Sequence, residues 1–132
     1  MLDVQMSNTH SPSDAAFAIS HHSLDQHTSV VTPAGELDLT TAATLKWTLA
    51  ELIESGHDRL VLDLSAVSFL DSTALGVLVG ICKVLAPKGR LALACPHQSV
   101  LRTFQITGLD SRFELFETLD SAVDFARGDT AR

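Results

Sequence analysis

Short aliphatic segments alternate with longer segments of helical periodicity along most of this chain. Residues 60–64 read Leu-Val-Leu-Asp-Leu, and a helix-like apolar run follows at residues 75–85. Between them stand Asp71, Ser72 and Thr73, which are residue types that begin helices. A strand followed by a capped apolar helix is the repeating unit of sheets with crossover connections. The alternation therefore predicts an α/β fold.

The same alternation extends from residue 15 to residue 126, in the order β-β-α-β-α-β-α-β-α. Thr40 or Thr41 is expected to cap the first helix, and Gly56 is expected to end it. Pro33 has no N–H for a ladder, so it indicates an edge, a bulge or a strand end. The predicted strands are 15–20, 29–32 with its continuation, 60–64, 91–95 and 113–116, and the later helices are 73–86, 99–108 and 121–126.

The 132 residues are enough for one domain with a core and too few for two. Hydrophobic residues make up 45% and charged residues 19%, which is typical of a globular protein. Residues 1–14 are rich in serine, asparagine, threonine and proline, so we predict a disordered N-terminal tail. The predicted domain covers residues 15–126, and residues 127–132 are expected to form a C-terminal tail.

Charge and hydropathy exclude several classes of protein. The net charge is −7 without a cluster of lysine and arginine, so no nucleic-acid partner is expected and the partners are expected to be proteins. The longest apolar stretch, residues 74–86, contains Lys83 and is too short to span a bilayer. The polar N-terminus lacks the apolar region of a signal peptide. We therefore expect a cytoplasmic protein without a membrane contact.

The residues that most often carry catalysis or metals do not form a convincing set. Cys82 and Cys95 lie in apolar runs and are expected to be buried, reduced thiols. The six histidines have no ligand-like arrangement with cysteines or carboxylates, so neither a metal nor a cofactor is expected. Ser72 lacks the GxSxG setting of a hydrolase nucleophile, which disfavours an enzyme using Ser72 and a histidine.

Ser72 has two interpretations that local pattern alone leaves open. It is either part of an ordinary helix cap or a site for reversible phosphorylation, because free N–H groups and the helix dipole accept a phosphate. Asp38 likewise either caps the first helix or lies close to Ser72, if the two strand ends are side by side. Asp63 is expected to have a structural role.

Two further features of the predicted helices concern surfaces. Gly76 and Gly80 leave a smooth stripe on the second helix, which predicts close packing against a sheet. Trp47 lies off the apolar face that Leu45 and Leu49 define. It is therefore an interface anchor or a residue partly buried against the N-terminal tail.

Taken together, three motifs closely resemble the STAS domain family, specifically the bacterial anti-sigma factor antagonists. They are Gly-Glu-Leu-Asp at residues 35–38, Phe-Leu-Asp-Ser-Thr at residues 69–73 followed by Leu75 and Gly76, and Phe-Gln-Ile-Thr-Gly-Leu at residues 104–109. The resemblance covers residues 15–126. Any one motif would be weak, but the combination is specific.

The resemblance implies a four- or five-stranded mixed sheet packed with about four helices, and no enzymatic activity. It also implies binding to an anti-sigma factor that is an ATP-dependent serine kinase, which frees the sigma factor. That kinase is expected to phosphorylate Ser72, and a metal-dependent serine phosphatase to reverse the modification. The protein is expected to be a monomer or a weak dimer. The partner surface implied by the motifs consists of Asp38, Asp71, Ser72, Thr73, Ala74, Leu75 and Gly76.

One position departs from the family pattern, and one alternative function stays open. The family usually has glycine where this chain has Ala74, whose methyl group is expected to stiffen the helix start or to crowd the kinase slightly, and to be tolerated. The alternative function is a STAS interaction module of a larger signalling or stress-response assembly, without a sigma factor.

Overall fold

A six-stranded mixed sheet lies at the centre of the protein in a computed structural model, which describes residues 17–128. The hydrogen-bonded order is β1-β2-β3-β5-β6, and β4 pairs with β2 beside β3. β1 and β2 form an antiparallel hairpin, and the other pairs are parallel. The strands are β1 Ala18–Ser23, β2 Thr28–Leu37, β3 Arg59–Asp63, β4 Ala66–Leu70, β5 Arg90–Ala94 and β6 Glu114–Phe116.

The long strand β2 changes its parallel neighbour half-way along. Residues 28–31 pair with β3, and residues 34–37 pair with β4. Pro33 lies between these two stretches and is matched with Ile19 of β1. Since proline has no N–H to donate, it fits a position where one ladder ends and the next begins. A register shift follows between Gly35 and Glu36, and Gly35 has φ of 107°, a value that favours glycine.

Strand β4 was not predicted, so the sheet has six strands rather than four or five. Only Val67 and Leu70 of its five residues are buried, and Phe69 is partly exposed. A segment this short, with most side chains outside the core, looks like a loop in the sequence. Its strand character arises from pairing with β2, about 30 residues earlier in the chain.

Within residues 17–128, four α-helices cover both faces of the sheet, in agreement with the number of about four that the family resemblance implied. They are α1 Ala42–Glu54, α2 Ser72–Leu85, α3 Gln98–Ile106 and α4 Leu119–Arg127, with a short 3-10 turn at Leu109–Ser111. Helices α1, α2 and α3 pack on the face that carries Leu60, Leu62 and Leu93. Helix α4 packs Ala122 and Ala126 on the opposite face, against Val30 and Val61. The connections position the ends of β2 and β4 beside the start of α2.

Several boundaries differ from the predicted ones by a few residues. The first strand continues to Ser23, so the turn of the hairpin is only residues 24–27. The predicted tail, residues 1–14, lies outside the described residues. Of the predicted C-terminal tail, Arg127 ends α4 and Gly128 follows with φ of 80°.

Candidate functional site

The start of α2 lies against the end of β2. Leu37 and Leu70 are opposite each other in the ladder between β2 and β4. One residue later, the Asp71 N–H donates a 3.0 Å hydrogen bond to the Leu37 carbonyl. The two strand ends are therefore side by side, and the loops that begin with Asp38 and Asp71 emerge next to each other.

Asp71 is the N-cap of α2. Its Oδ1 accepts hydrogen bonds from the Thr73 N–H at 2.9 Å and the Ala74 N–H at 3.2 Å. The Leu75 N–H donates to the Asp71 carbonyl at 3.1 Å. The Asp71 side chain thus already occupies two of the N–H groups that a helix leaves free at its start. This corrects the expectation that free N–H groups would receive a phosphate on Ser72.

Ser72 is the first residue of α2 and is exposed to solvent, with Thr73 half-buried beside it. Gly76, one turn further, is also exposed. Ala74 and Leu75 point the other way, and only 0% and 2% of their surfaces are exposed. A partner can therefore reach Ser72, Thr73 and Gly76, but it cannot touch the side chains of Ala74 and Leu75. The Ala74 methyl group fills the core and does not crowd the surface.

Asp38 organises the loop before α1. Its Oδ1 accepts from the Thr40 hydroxyl at 2.7 Å, the Thr40 N–H at 2.9 Å and the Thr41 N–H at 3.2 Å. The Thr40 hydroxyl is the main reason that the pKa of Asp38 is lowered, and the backbone N–H groups add to it. Thr41 is the N-cap residue of α1, one of the two residues predicted for that position, but its side chain makes no capping hydrogen bond. Its hydroxyl donates instead to the Glu36 carbonyl at 2.7 Å, and Asp38 holds the turn that precedes the helix.

Two apolar side chains precede or follow the carboxylates in sequence, and they were not predicted to belong to the site. Leu39 follows Asp38 and is 74% exposed. Phe69 precedes Asp71 by two residues and is 48% exposed. In the sequence, Leu39 stands between Asp38 and Thr40, and an apolar residue in such a polar loop could have indicated an exposed contact residue. Large apolar groups exposed next to polar ones are typical of interaction surfaces. We call Asp38, Leu39, Phe69 and residues 71–73 with Gly76 the Ser72 surface.

A groove of about 810 Å³ runs between α1 and α2. Thr73 and Gly76 lie in its wall, so it is continuous with the Ser72 surface. A Cβ added at Gly76 or Gly80 would meet nothing within 4 Å. The prediction that these glycines pack closely against the sheet was therefore wrong, because they face the open groove. The apolar part of the lining consists of Trp47, Ala50, Ile53, Val77, Ile81 and Val84.

Trp47 is 63% exposed where it lines this groove. Of its two interpretations, burial against the N-terminal tail concerns residues outside the described part of the chain. The interpretation of Trp47 as an interface anchor is supported by its exposed position in the wall of an open apolar groove. We call this cavity the α1–α2 groove.

The other candidate residues have structural surroundings. Asp63 Oδ1 accepts from the Ser65 N–H at 3.0 Å, which agrees with a structural role. Cys82 and Cys95 are free, and burial raises the pKa of both thiols. Within residues 17–128 there is no group of three or more histidines, cysteines and carboxylates suited to a metal. No helix in that range is both long and apolar enough to cross a membrane.

The fold and the site define a small mixed-sheet α/β domain that presents a serine at the exposed start of a helix. The chain belongs to the STAS domain family, whose model matches residues 22–122. The anti-sigma-F factor antagonist RsfB of Mycobacterium tuberculosis is 34% identical over 100 residues, covering 76% of this chain and 82% of RsfB.

Solved structures of anti-sigma factor antagonists have the same fold. The one from Mycobacterium paratuberculosis is 32% identical, with a TM-score of 0.75 over 89% of this chain and 97% of that chain. The anti-sigma factor antagonist SpoIIAA in its unphosphorylated form is 26% identical, with a TM-score of 0.72 over 84% of this chain and 97% of that chain.

Proposed function

We propose that this protein is an anti-sigma factor antagonist that phosphorylation of Ser72 switches off. In the unmodified state it binds an anti-sigma factor, which releases the sigma factor. The observation that carries the proposal is the position of Ser72, exposed at the first residue of α2, directly after Asp71, whose N–H is hydrogen-bonded to the Leu37 carbonyl just before Asp38. The relatives named as anti-sigma factor antagonists support the same role.

The Ser72 surface has the composition of a protein-binding site. Leu39 and Phe69 supply apolar contact area, and the two carboxylates give the surface a negative sign. A positively charged patch on the anti-sigma factor would match it, which favours fast and specific association. The surface holds no arrangement for catalysis, so we propose a binding protein that is a substrate of other enzymes.

Phosphorylation acts through added charge at a place that cannot neutralise it. A phosphate brings about −1.5 to −2 charges at pH 7. Because Asp71 already occupies the N–H groups of Thr73 and Ala74, the helix start has little left to bind the phosphate. The new charge therefore stays at the surface, next to the Asp71 carboxylate. Burying it against a partner costs free energy, and about 5.5 kcal/mol would convert a mostly bound population to a mostly free one.

The proposal also includes the two enzymes that add and remove the phosphate. The kinase is the anti-sigma factor itself, using ATP, and a metal-dependent serine phosphatase removes the phosphate. This cycle needs no cofactor on the antagonist. Because sigma factors direct transcription, the proposed place of action is the cytoplasm.

The test compares Ser72→Ala and Ser72→Asp for binding to the purified anti-sigma factor kinase by calorimetry with ATP present. Ser72→Ala is expected to stay bound, and Ser72→Asp to bind at least tenfold more weakly at unchanged circular dichroism. Ser121→Asp is a matched control, since Ser121 is an exposed serine in the first turn of α4 on the opposite face. Equal affinities of the two Ser72 variants would refute the switch.

Phosphopeptide mass spectrometry after incubation with the kinase identifies the acceptor. We expect the phosphate on Ser72 and not on Thr73, because Thr73 is half-buried in the wall of the α1–α2 groove. Modification of Thr73 alone would contradict the proposed site while leaving the family assignment intact.

A further inference from the structure

The α1–α2 groove is an apolar surface that nothing in residues 17–128 covers. Trp47 and Val84 stand at its edges with 63% and 64% of their surfaces exposed. From the groove's position we infer that it binds an apolar segment of the anti-sigma factor, with Trp47 as the main anchor. The inference rests on the proposed function, because it extends the same interface.

Continuity with the Ser72 surface is the first argument. Thr73 follows Ser72 directly, and its side chain lines the groove together with Gly76. A partner that covers Ser72 therefore already stands at the open end of the groove. From Thr73 to Val84, α2 rises about 16 Å at 1.5 Å per residue, a length that three turns of a bound helix would match.

The two glycines of α2 are the second argument. A glycine inside a helix costs about 1 kcal/mol relative to alanine. Neither Gly76 nor Gly80 has a neighbour that an added Cβ would strike. Internal packing of the domain thus gives no reason for glycine at these two positions. The absent side chains do create the depth of the groove, which suits close approach of a second chain.

The charged residues at the edge of the α1–α2 groove indicate what kind of segment it binds. Glu51 and Glu54 line the groove on the side of α1, against a single lysine, Lys46. The floor is aliphatic. An amphipathic segment with an apolar face and basic flanks is complementary to both, and a helix in a groove is a common form of such recognition. Tryptophan is among the residue types that are enriched at the energetic hot spots of interfaces.

The chain contains one tryptophan, which makes the groove directly observable. Fluorotryptophan incorporated into the full-length protein labels Trp47 alone, and unlabelled anti-sigma factor kinase adds no fluorine signal. We expect the Trp47 resonance to shift when the kinase is added. Gly80→Leu, which fills the groove, is expected to weaken binding at least tenfold. Lys83→Leu adds the same side chain on the same helix outside the groove and is expected to leave the affinity unchanged.

The other outcomes overturn the inference in distinguishable ways. Kinase binding with an unmoved Trp47 signal and an unchanged Gly80→Leu affinity removes the groove from the interface and leaves the proposed function standing. No binding by the unmodified chain overturns both. A Trp47 signal that moves with the concentration of the protein alone assigns the groove to a second copy. Protection of Trp47 from a soluble paramagnetic probe in the free, dilute chain assigns it to residues 1–16.

Discussion

At the scale of single residues, Asp71 combines a structural and an electrostatic role. Its carboxylate holds two N–H groups of α2, and its own N–H fixes it to the end of β2. The same carboxylate is a fixed negative charge next to Ser72. One carboxylate therefore both caps α2 and gives the site a negative electrostatic potential that repels an added phosphate.

We predict that Asp71→Ala lowers the free energy of unfolding by about 1 kcal/mol, because it removes the side-chain cap of α2. Asp71→Asn keeps an oxygen acceptor at the same place and should lose clearly less. Urea denaturation of both variants at pH 7 measures the difference. Equal losses for alanine and asparagine would show that charge, and not the two hydrogen bonds, carries the effect.

Asp38 gives a prediction about pH. In the folded state, hydrogen bonds from Thr40 and Thr41 lower the pKa of the Asp38 carboxyl below its ordinary value of 3.8. Its contribution to stability is therefore complete above pH 3.8 and is lost as the pH falls through the lower, folded-state pKa. We expect the native protein to be more stable than Asp38→Asn at pH 7, and this difference to shrink in acid. Thermal unfolding from pH 7 down to pH 2.5 tests the trend, and a difference that grows in acid would contradict it.

At the scale of elements, α2 has two unlike faces. Ala74, Leu78 and Ile81 are buried in the core, whereas Gly76 and Gly80 face the open groove. The apolar periodicity identified the buried face from the sequence. It did not identify what lies opposite the glycines, because that depends on where α1 packs, which no local pattern contains.

We predict opposite effects of alanine at two glycines. Gly80→Ala should raise the free energy of unfolding by up to about 1 kcal/mol, because the new methyl group meets nothing within 4 Å and alanine favours helix. Gly89→Ala should destabilise, because its Cβ would lie 2.6 Å from the Asp58 carbonyl oxygen. Chemical denaturation of the pair is the measurement. Destabilisation by Gly80→Ala would show that the groove is tighter than its walls indicate.

Over residues 17–128, the sequence predicted the four α-helices and five of the six strands, and the omission has a physical cause. Helices and buried strands have periodicities that local sequence displays, as residues 60–64 do. Strand β4 has only two buried side chains and exists because β2 changes partners after Pro33. Pairing between segments so far apart is a property of the assembled sheet. Pro33 did indicate an irregularity, but not that a new strand begins beside it.

At the scale of the whole molecule, the two sides of the sheet are unequal. The face under α1, α2 and α3 is packed with leucine, isoleucine and phenylalanine, and the face under α4 has alanine and valine. The larger core supports the elements that form the Ser72 surface. The motifs correctly predicted that Ser72 begins a helix. The exposure of Leu39 and Phe69 and the groove between α1 and α2 depend on how the elements pack, so the sequence did not predict them.

The net charge of the protein bears on how phosphorylation of Ser72 affects its stability. The chain carries −7, and a phosphate on Ser72 makes it more negative by about 1.5 to 2. The dipole of α2 favours a negative group at this end by about 0.3 to 1 kcal/mol, while the neighbouring Asp71 carboxylate disfavours it. Ser72 is exposed, so solvent and salt weaken both effects. The opposing contributions should nearly cancel in the folded domain.

We therefore predict that phosphorylation changes the free energy of unfolding by less than about 0.5 kcal/mol, which is the range of ordinary surface substitutions. Denaturant titrations of the unmodified and the enzymatically phosphorylated protein provide the measurement, with mass spectrometry confirming complete modification. An unchanged stability together with lost kinase binding places the effect of the phosphate in the interface. A large loss of stability would instead mean that the modification acts by loosening the start of α2, and the interface charge argument would then fail.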